Sequence, residues 1–380
     1  MIVDIHAHIF PDLNGACGLE SVELHRLYLQ RFTAATPAQS VKRLSDGKPV
    51  ENPEDASLWD PDDPTPSGAL PVDFRVGRFG RLEWSKNGQD YYIHLYAPNL
   101  QLVESSPEFL LAQMNYAGVD TIVLQNAWLY GQLNDFFAAA VKKYPGRFIG
   151  TVQVNEAKAY QETEIKELRR GVEELGLKAL YFANARFFES GFQHSYEDSL
   201  YEPFWEEVQA LGIPVFWDLT AVQMQGMPKM SPYERFISQM HRFNTWLEKF
   251  PGVNSILVHG VPLRYIRDGN EFRPIPDEVW DTWSKPQVFV EMLFPMQVSH
   301  PSPGARAFDY PYRELHPIIK EVYNRLGAHK LVWGSDLPNV ERNCTYKQAR
   351  SYFTEYIDFI PNSDKELITG RNAVSLLGIG

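Results

Sequence analysis

The sequence predicts a (β/α)8 barrel, an α/β fold, with a long insertion after the first strand. Short β-branched apolar runs alternate with helical patterns along most of the 380-residue chain, a rhythm that indicates a parallel sheet covered by helices. Eight such runs are present, which is the strand count of a closed barrel. No glycine-rich turn follows the first run, so a dinucleotide-binding doubly wound sheet is disfavoured.

The predicted strands follow one another at regular intervals. They lie at residues 2–5, 119–124, 148–154, 177–182, 213–217, 255–258, 288–290 and 330–333. The main helical patterns between them lie at residues 133–143, 162–175, 200–211, 232–250 and 312–326. Each strand is a near-continuous apolar run, as expected where both faces of a sheet are buried. We therefore expect one barrel domain spanning residues 1–380.

One segment, residues 9–117, breaks this rhythm and is called the insertion. It is rich in proline, aspartate and glycine, and two strand-like runs at 81–84 and 90–95 flank Asn87-Gly88, which predicts a hairpin. An insertion after the first barrel strand emerges at the mouth, where substrate enters. We interpret it as a lid or a partner-contact region. A surface embellishment with no role at the site is the alternative.

Charge and composition exclude several classes of protein. The formal net charge of −12 argues against nucleic-acid binding, which needs a basic surface. No stretch approaches the ~20 apolar residues of a membrane span, and no secretion signal is visible. The two cysteines, Cys17 and Cys344, form no disulfide pattern. We expect a cytoplasmic protein acting on a small molecule, as a homodimer by analogy with other barrels or as part of a hetero-oligomer.

Histidines and carboxylates stand at the ends of the predicted strands. His6 and His8 project to the same side because a strand alternates its faces at every residue. The ends of later strands carry the other candidates, Asp218, His259, Glu291 and Asp336. Since the carboxyl ends of barrel strands form one rim, these groups are expected to meet there. A bound divalent cation is the simplest way to satisfy them.

Four segments carry a resemblance to a known family. They are residues 2–8 (IVDIHAH), 256–260 (ILVHG), 331–338 (LVWGSDLP) and 368–373 (ITGRNA). Together they resemble the amidohydrolase superfamily, in the branch that contains aminocarboxymuconate-semialdehyde decarboxylase and related decarboxylases, lactonases and hydratases. The resemblance implies that His6, His8 and His259 bind the metal or lie close to it. It also implies that Asp336 is a ligand and a proton shuttle.

The sequence departs from that branch at two strand ends. Asp218 stands where a ligand histidine is usual, and Glu291 ends the seventh strand, where a small or polar residue is expected. We predict both as metal ligands. Carboxylates in place of imidazole shift the preference from zinc toward manganese or iron and leave room for two ions. Two alternatives stay open: Asp218 could orient a ligand histidine, and Glu291 could pair with Arg264 or Arg342.

Three further residues are candidates for binding the substrate. Arg186 and Arg342 follow strands four and eight and could clamp a carboxylate, because the guanidinium fork matches that geometry. Trp217, near the rim, could form an apolar wall together with Trp128 and Tyr130. His300, on the loop after strand seven, is read as a plain loop histidine.

The leading functional hypothesis is metal-assisted hydrolysis or decarboxylation of a small carboxylate-bearing molecule. A divalent ion lowers the pKa of a bound water from about 15.7 toward about 7, and Asp336 would accept that proton and return it to the leaving group. In a decarboxylase, Asp336 or His259 would protonate the carbon. Two alternatives remain: an oxygen-activating hydroxylase with two iron or manganese ions, and a partner subunit with a degenerate metal site.

Overall fold

Eight parallel strands form the central sheet and follow one another around it in chain order. The computed structural model describes residues 1–35, 40–269, 271–298 and 308–379. The strands are β1 Val3–Ala7, β2 Thr121–Leu124, β3 Phe148–Val152, β4 Ala179–Ala183, β5 Val215–Asp218, β6 Ser255–Leu257, β7 Val288–Met292 and β8 Leu331–Trp333. All eight predicted strands are confirmed, with ends shifted by a few residues.

The first and last strands meet through a short parallel bridge between Ala7 and Leu337. The buried Asp4 strengthens this closure: its carboxylate accepts the backbone N–H of Ser335 at 3.0 Å and the hydroxyl of Tyr346 at 2.8 Å. Burial raises the pKa of Asp4 to about 6. The sheet is therefore a nearly closed (β/α)8 barrel, as predicted.

Helices cover the outside of the barrel. They are α1 Val22–Ala35, α2 Pro107–Ala117, α3 Asn134–Lys143, α4 Glu162–Arg169, α5 Glu202–Leu211, α6 Pro232–Lys249, α7 Leu263–Ile266, α8 Asp277–Trp283, α9 Phe294–Gln297, α10 His316–Leu326, α11 Tyr346–Ser351, α12 Asn362–Glu366 and α13 Asn372–Leu377. The five helices predicted from the pattern are all present. In the described part of the chain, no helix has the length and apolarity needed to cross a bilayer.

The longest helix, α6, shows the local features that stabilise a helix at the predicted position. Ser231 caps the N-terminus of α6, its hydroxyl accepts the N–H of Glu234, and the Glu234 side chain accepts the N–H of Ser231. Pro232 occupies the first turn, where its missing N–H costs nothing. The apolar stripe of α6 then buries Phe243 and Trp246 against the barrel.

The insertion forms α1, α2 and a small antiparallel sheet, called the insertion sheet. Its strands lie in the order Lys42–Arg43, Gln89–His94, Arg81–Lys86, Asp73–Val76. Asn87 and Gly88 both have positive φ, 52° and 75°, as a two-residue hairpin turn requires. The predicted hairpin is confirmed, whereas its two outer strands were not predicted.

Candidate metal centre

The carboxyl ends of β1, β6 and β8 bring three histidines and one aspartate together. The Nε2 atoms of His6 and His8 lie 3.1 Å apart, and His8 Nε2 lies 2.9 Å from Asp336 Oδ1. His6 Nε2 is 3.6 Å from the same oxygen, and His259 Nε2 is 3.9 Å from Asp336 Oδ2. Ligand atoms of His6, His259 and Asp336 all lie within 4.8 Å of one another. These distances are compatible with one shared cation.

Two of the four residues have left-handed backbones. His259 has φ of 64° and Asp336 has φ of 59°, a region that non-glycine residues adopt at a cost of about 1–3 kcal/mol. Gly260, which follows His259, must be glycine because a Cβ there would lie 1.8 Å from the carbonyl oxygen of Glu291. Such strain is typical of positions where the backbone aims a functional side chain.

Each imidazole is held through its outer nitrogen, Nδ1. Glu291 lies 3.0 Å from His6 Nδ1, and the Gln125 carbonyl lies 2.7 Å from His8 Nδ1. Asp218 Oδ1 lies 3.4 Å from His259 Nδ1. A neutral imidazole that donates from Nδ1 presents a lone pair at Nε2. In that neutral tautomer, the three inward nitrogens and Asp336 offer their acceptor atoms to a shared cation.

The pKa shifts of the site show how strongly its charged groups interact. Burial alone would lower the pKa of His6, but Glu291 and Asp336 raise it to about 9. Burial would raise the pKa of Asp336, but the neighbouring His6 and His8 hold it below its usual range. Burial lowers the pKa of His8. The site thus favours added positive charge.

Glu291 lies behind His6. Its carboxylate accepts from His6 Nδ1 and from the backbone N–H of His259. Gly334 makes room for it, because a Cβ at that position would lie 1.9 Å from Glu291 Oε1. Its oxygens face the outer nitrogen of His6, which favours an orienting position, and its direct binding to the ion stays a prediction.

Asp218 occupies a similar position behind His259. It also accepts the hydroxyl of Tyr181 at 3.0 Å. Burial would raise the pKa of Asp218, but its contact with His259 lowers it to about 2. This geometry favours the alternative in which Asp218 orients a histidine, although the side chain also lines the cavity. Its direct binding to the ion stays a prediction.

A cavity of about 670 Å³ opens from the site. Arg342 lines it, and its Nε has no hydrogen-bond partner among the described residues. Asn339 connects this arginine to the site: its amide donates to Asp336 Oδ1 at 2.7 Å, and Arg342 Nη1 lies 3.5 Å from its oxygen. Arg342 Nη1 also donates to the carbonyl of Leu95 and its Nε is buried, so Arg342 adds positive charge to the cavity wall close to Asp336.

Two predicted substrate contacts, Trp217 and Arg186, lie away from the cavity lining, and their binding to a substrate stays a prediction. Trp217 is fully buried in the helix layer, with its ring centroid 4.6 Å from that of Trp246 and 5.1 Å from that of Trp205. Asp218 faces the cavity, so its neighbour on the strand must face the other way. Arg186 does not line the cavity either.

Arg186 instead belongs to a buried ion-pair network beside the barrel mouth. Its guanidinium lies 2.9 Å from Glu189 Oε1 and 3.4 Å from Glu156 Oε2. It also lies 5.4 Å from the ring of Tyr28, a residue of α1 in the insertion. The network ties the insertion to the barrel.

Sequence reasoning missed Asn339, and the signal for it was present. Asn339 lies three residues after Asp336, in the short 3-10 turn Asn339–Arg342, so its side chain returns to the aspartate one turn later. His94, at the end of the strand Gln89–His94 in the insertion sheet, also lines the cavity. His300 lies outside the described residues.

The sequence matches one known protein family. The sequence profile of a family described as amidohydrolase matches residues 3–379. A comparison with curated protein sequences finds no match.

Among solved structures, three similar ones are bacterial enzymes. The 2,6-dihydroxybenzoate decarboxylase from Rhizobium is 18% identical with a TM-score of 0.52, covering 73% of this chain and 89% of its own. The 5-carboxyvanillate decarboxylase from Sphingomonas paucimobilis is 16% identical with a TM-score of 0.50, covering 73% and 84%. A probable 2-pyrone-4,6-dicarboxylic acid hydrolase from Acinetobacter baumannii is 17% identical with a TM-score of 0.53, covering 73% and 90%. At these identities the likeness concerns the fold.

Proposed function

The chain belongs to the amidohydrolase family of metal-dependent hydrolases and carboxy-lyases, and we propose that it transforms a small carboxylate-bearing molecule at one divalent cation. The cation is held by His6, His8 and Asp336. His259 completes the site from the fourth side, and Arg342 binds a carboxylate of the substrate.

One observation carries this proposal. The outer nitrogens of His6, His8 and His259 each lie beside an oxygen that can only accept a hydrogen bond, so in the neutral imidazoles the nitrogens that face the cavity are acceptors. Two such acceptors 3.1 Å apart repel one another unless a proton or a metal cation lies between them. Nitrogen and carboxylate donors suit zinc, manganese and iron alike.

The residues around the cation have different roles in the proposed reaction. A divalent cation bound here supplies a Lewis acid that polarises a substrate or water oxygen. Asp336 accepts a proton at Oδ2, the oxygen that faces His259, while Asn339 holds its Oδ1. In hydrolysis, Asp336 returns this proton to the leaving group. In decarboxylation, the electrons of the broken carbon–carbon bond stay on carbon, which takes a proton from Asp336 or His259 as carbon dioxide leaves.

The other two hypotheses make different predictions. An oxygen-activating hydroxylase needs two iron or manganese ions, whereas the described residues contain a single group of metal-ligating side chains, His6, His259 and Asp336. If the chain is a partner subunit with a degenerate site, it should bind metal weakly and show no catalytic activity without the second polypeptide. Asp218, the replacement that prompted this third hypothesis, retains a defined contact with His259.

Metal analysis combined with turnover tests the proposal. We expect protein purified without chelators to hold about one equivalent of a divalent metal. His6→Ala and Asp336→Asn should lose that metal and the activity while keeping the circular dichroism of the folded barrel. Asp73→Asn, at a side chain that is 77% exposed, serves as the matched control. Normal metal content and turnover in both site variants would refute the assignment, and two equivalents would favour the hydroxylase.

We also propose a cytoplasmic location and self-association. Both cysteines are buried and free, which suits a reducing compartment. Light scattering of the purified chain distinguishes a dimer from a chain that needs a second polypeptide.

A further inference from the structure

The cavity is larger than a small one-ring substrate needs. Its volume of about 670 Å³ lies within the range of about 300–1,000 Å³ that holds drug-sized molecules, and a one-ring carboxylate of about ten non-hydrogen atoms would fill only part of it. The remaining space extends under the insertion, which contributes many of the lining residues. This part is called the aromatic arm, and it is lined by Phe32, Trp59, Trp84, Trp128 and Tyr130.

The aromatic arm begins at the metal centre. The ring of Tyr130 lies 4.9 Å from that of His8. Trp128 belongs to the same 3-10 turn, Trp128–Tyr130, and its ring lies 6.1 Å from that of Phe32 on α1. Rings at these separations form a continuous apolar wall from the cation ligands to the insertion.

The far end of the arm is formed by the last turn of α1 and by Trp59. The guanidinium of Arg31 lies 5.1 Å from the ring of Trp59 and 5.5 Å from that of Phe188. This charged group therefore stacks on aromatic rings at the far end of the arm. Ala34, three residues further along α1, also lines the cavity. Its small side chain leaves space open where a larger one would fill it.

From this wall we propose that the aromatic arm binds an apolar, ring-sized extension of the substrate beyond its reacting carboxylate. The inference rests on the proposed function, because the metal centre and Arg342 fix the carboxylate end. It assigns the insertion a role in substrate selection. A second aromatic ring fits best, because stacked and edge-to-face contacts with Phe32, Trp59 and Trp128 add to the burial of its surface.

Two carboxylates that differ by one ring test the proposal. Benzoate and 4-phenylbenzoate are titrated calorimetrically into the metal-loaded protein, so that binding is measured without turnover. We expect 4-phenylbenzoate to bind about 10- to 100-fold tighter, the gain typical of burying one phenyl group. Ala34→Phe, which fills the arm, should remove at least about tenfold of that preference and leave benzoate affinity within about twofold.

Matched variants separate this effect from damage to the fold. Ala139→Phe, at an exposed position of α3 outside the cavity, should keep the preference. Phe32→Ala should weaken 4-phenylbenzoate alone, whereas Phe79→Ala, at a 42% exposed phenylalanine of the insertion, should change neither ligand. Three outcomes would overturn the proposal. The two ligands could bind with equal affinity, neither could bind, or the preference could stay unchanged in Ala34→Phe and Phe32→Ala. Failure of the proposed function would appear separately, as absent metal or turnover.

Discussion

The imidazoles of the site are oriented by three different acceptors: a glutamate, a backbone carbonyl and an aspartate. These partners fix which nitrogen of each ring carries the proton, and therefore which nitrogen is left to bind a cation. The backbone carbonyl of Gln125 cannot be removed by substitution. The two carboxylates can, and they offer the sharpest tests at the scale of single residues.

Glu291→Gln should weaken metal binding about 10- to 100-fold, because an amide is a poorer acceptor for His6 Nδ1 than a carboxylate. Competition with a chromogenic chelator measures the affinity. Glu278→Gln is the control, since it alters another histidine–glutamate contact, His241 Nε2 to Glu278 Oε1 at 3.2 Å, on the exposed surface. Equal affinities in the two variants would mean that Glu291 does not orient the ring.

Asn339→Ala should reduce turnover more than it reduces metal content. Its amide holds Asp336 Oδ1 and faces Arg342, so its loss misplaces both the proton acceptor and the carboxylate-binding group. We expect kcat/KM to fall about tenfold or more. Asn244→Ala, which removes an exposed contact with Glu248, should leave kcat/KM unchanged. If the metal content of Asn339→Ala fell by the same factor as its kcat/KM, the positioning role of Asn339 would be contradicted.

At the scale of strands and helices, the alternation of apolar runs with helical patterns was sufficient to predict the barrel. All eight strands and the hairpin at Asn87-Gly88 appear where the pattern placed them. The pattern left open the roles that depend on which face of a strand a residue occupies. Trp217 and Asp218 are neighbours on one strand, so only one of them can face the cavity. The apolar run at residues 213–217 does not indicate which of the two it is.

Long-range partners were the second limit. Glu291 ends a strand as a metal ligand would, and only the three-dimensional structure shows that Gly334 leaves space for it behind His6. Arg186 follows β4 as a substrate-binding arginine would, but Glu156 and Glu189 already neutralise it. Residue type and strand position predicted the members of the rim, whereas their pairing depends on contacts between distant segments.

The network around Arg186 makes stability depend on pH. Burial raises the pKa of Glu156 to about 7, because Arg186 compensates only partly. A carboxyl whose pKa is higher in the folded state stabilises the fold fully below its unfolded value of about 4.5, and this contribution is lost as the pH rises through about 7. Glu156→Gln should therefore raise Tm at about pH 8 relative to the parent, and less so at about pH 5.

Glu189→Gln is the opposing control. Burial would raise the pKa of Glu189, but Arg186 lowers it below the ordinary value. Its charge therefore stabilises the fold at neutral pH, and its removal should lower Tm at about pH 8. Calorimetric scans at the two pH values measure both variants, and Tm changes of the same sign would contradict the assignment.

At the scale of the whole molecule, we expect cation binding and folding to be coupled. The proposed ligands come from β1, β6 and β8, so the complete set exists only in the closed barrel. A cation that binds the folded state alone adds about 2.7 kcal/mol of stability at 100 times its Kd. We expect Tm to rise with added manganese or zinc and to fall with a chelator, as followed by differential scanning fluorimetry.

His8→Ala is the variant for that experiment. It removes one proposed ligand, so its Tm should respond little to the metal, while Phe79→Ala should respond as the parent does. A parent whose Tm is the same with metal and with chelator would contradict the coupling.

The position of β1 has a consequence for biosynthesis. His8 and Asp336 are 328 positions apart, and translation of that distance takes on the order of tens of seconds at ~5–20 residues per second. Throughout this interval the nascent chain carries His6 and His8, while Asp336 has not yet left the ribosome. The proposed ion site is therefore complete only after the last strand has left the ribosome.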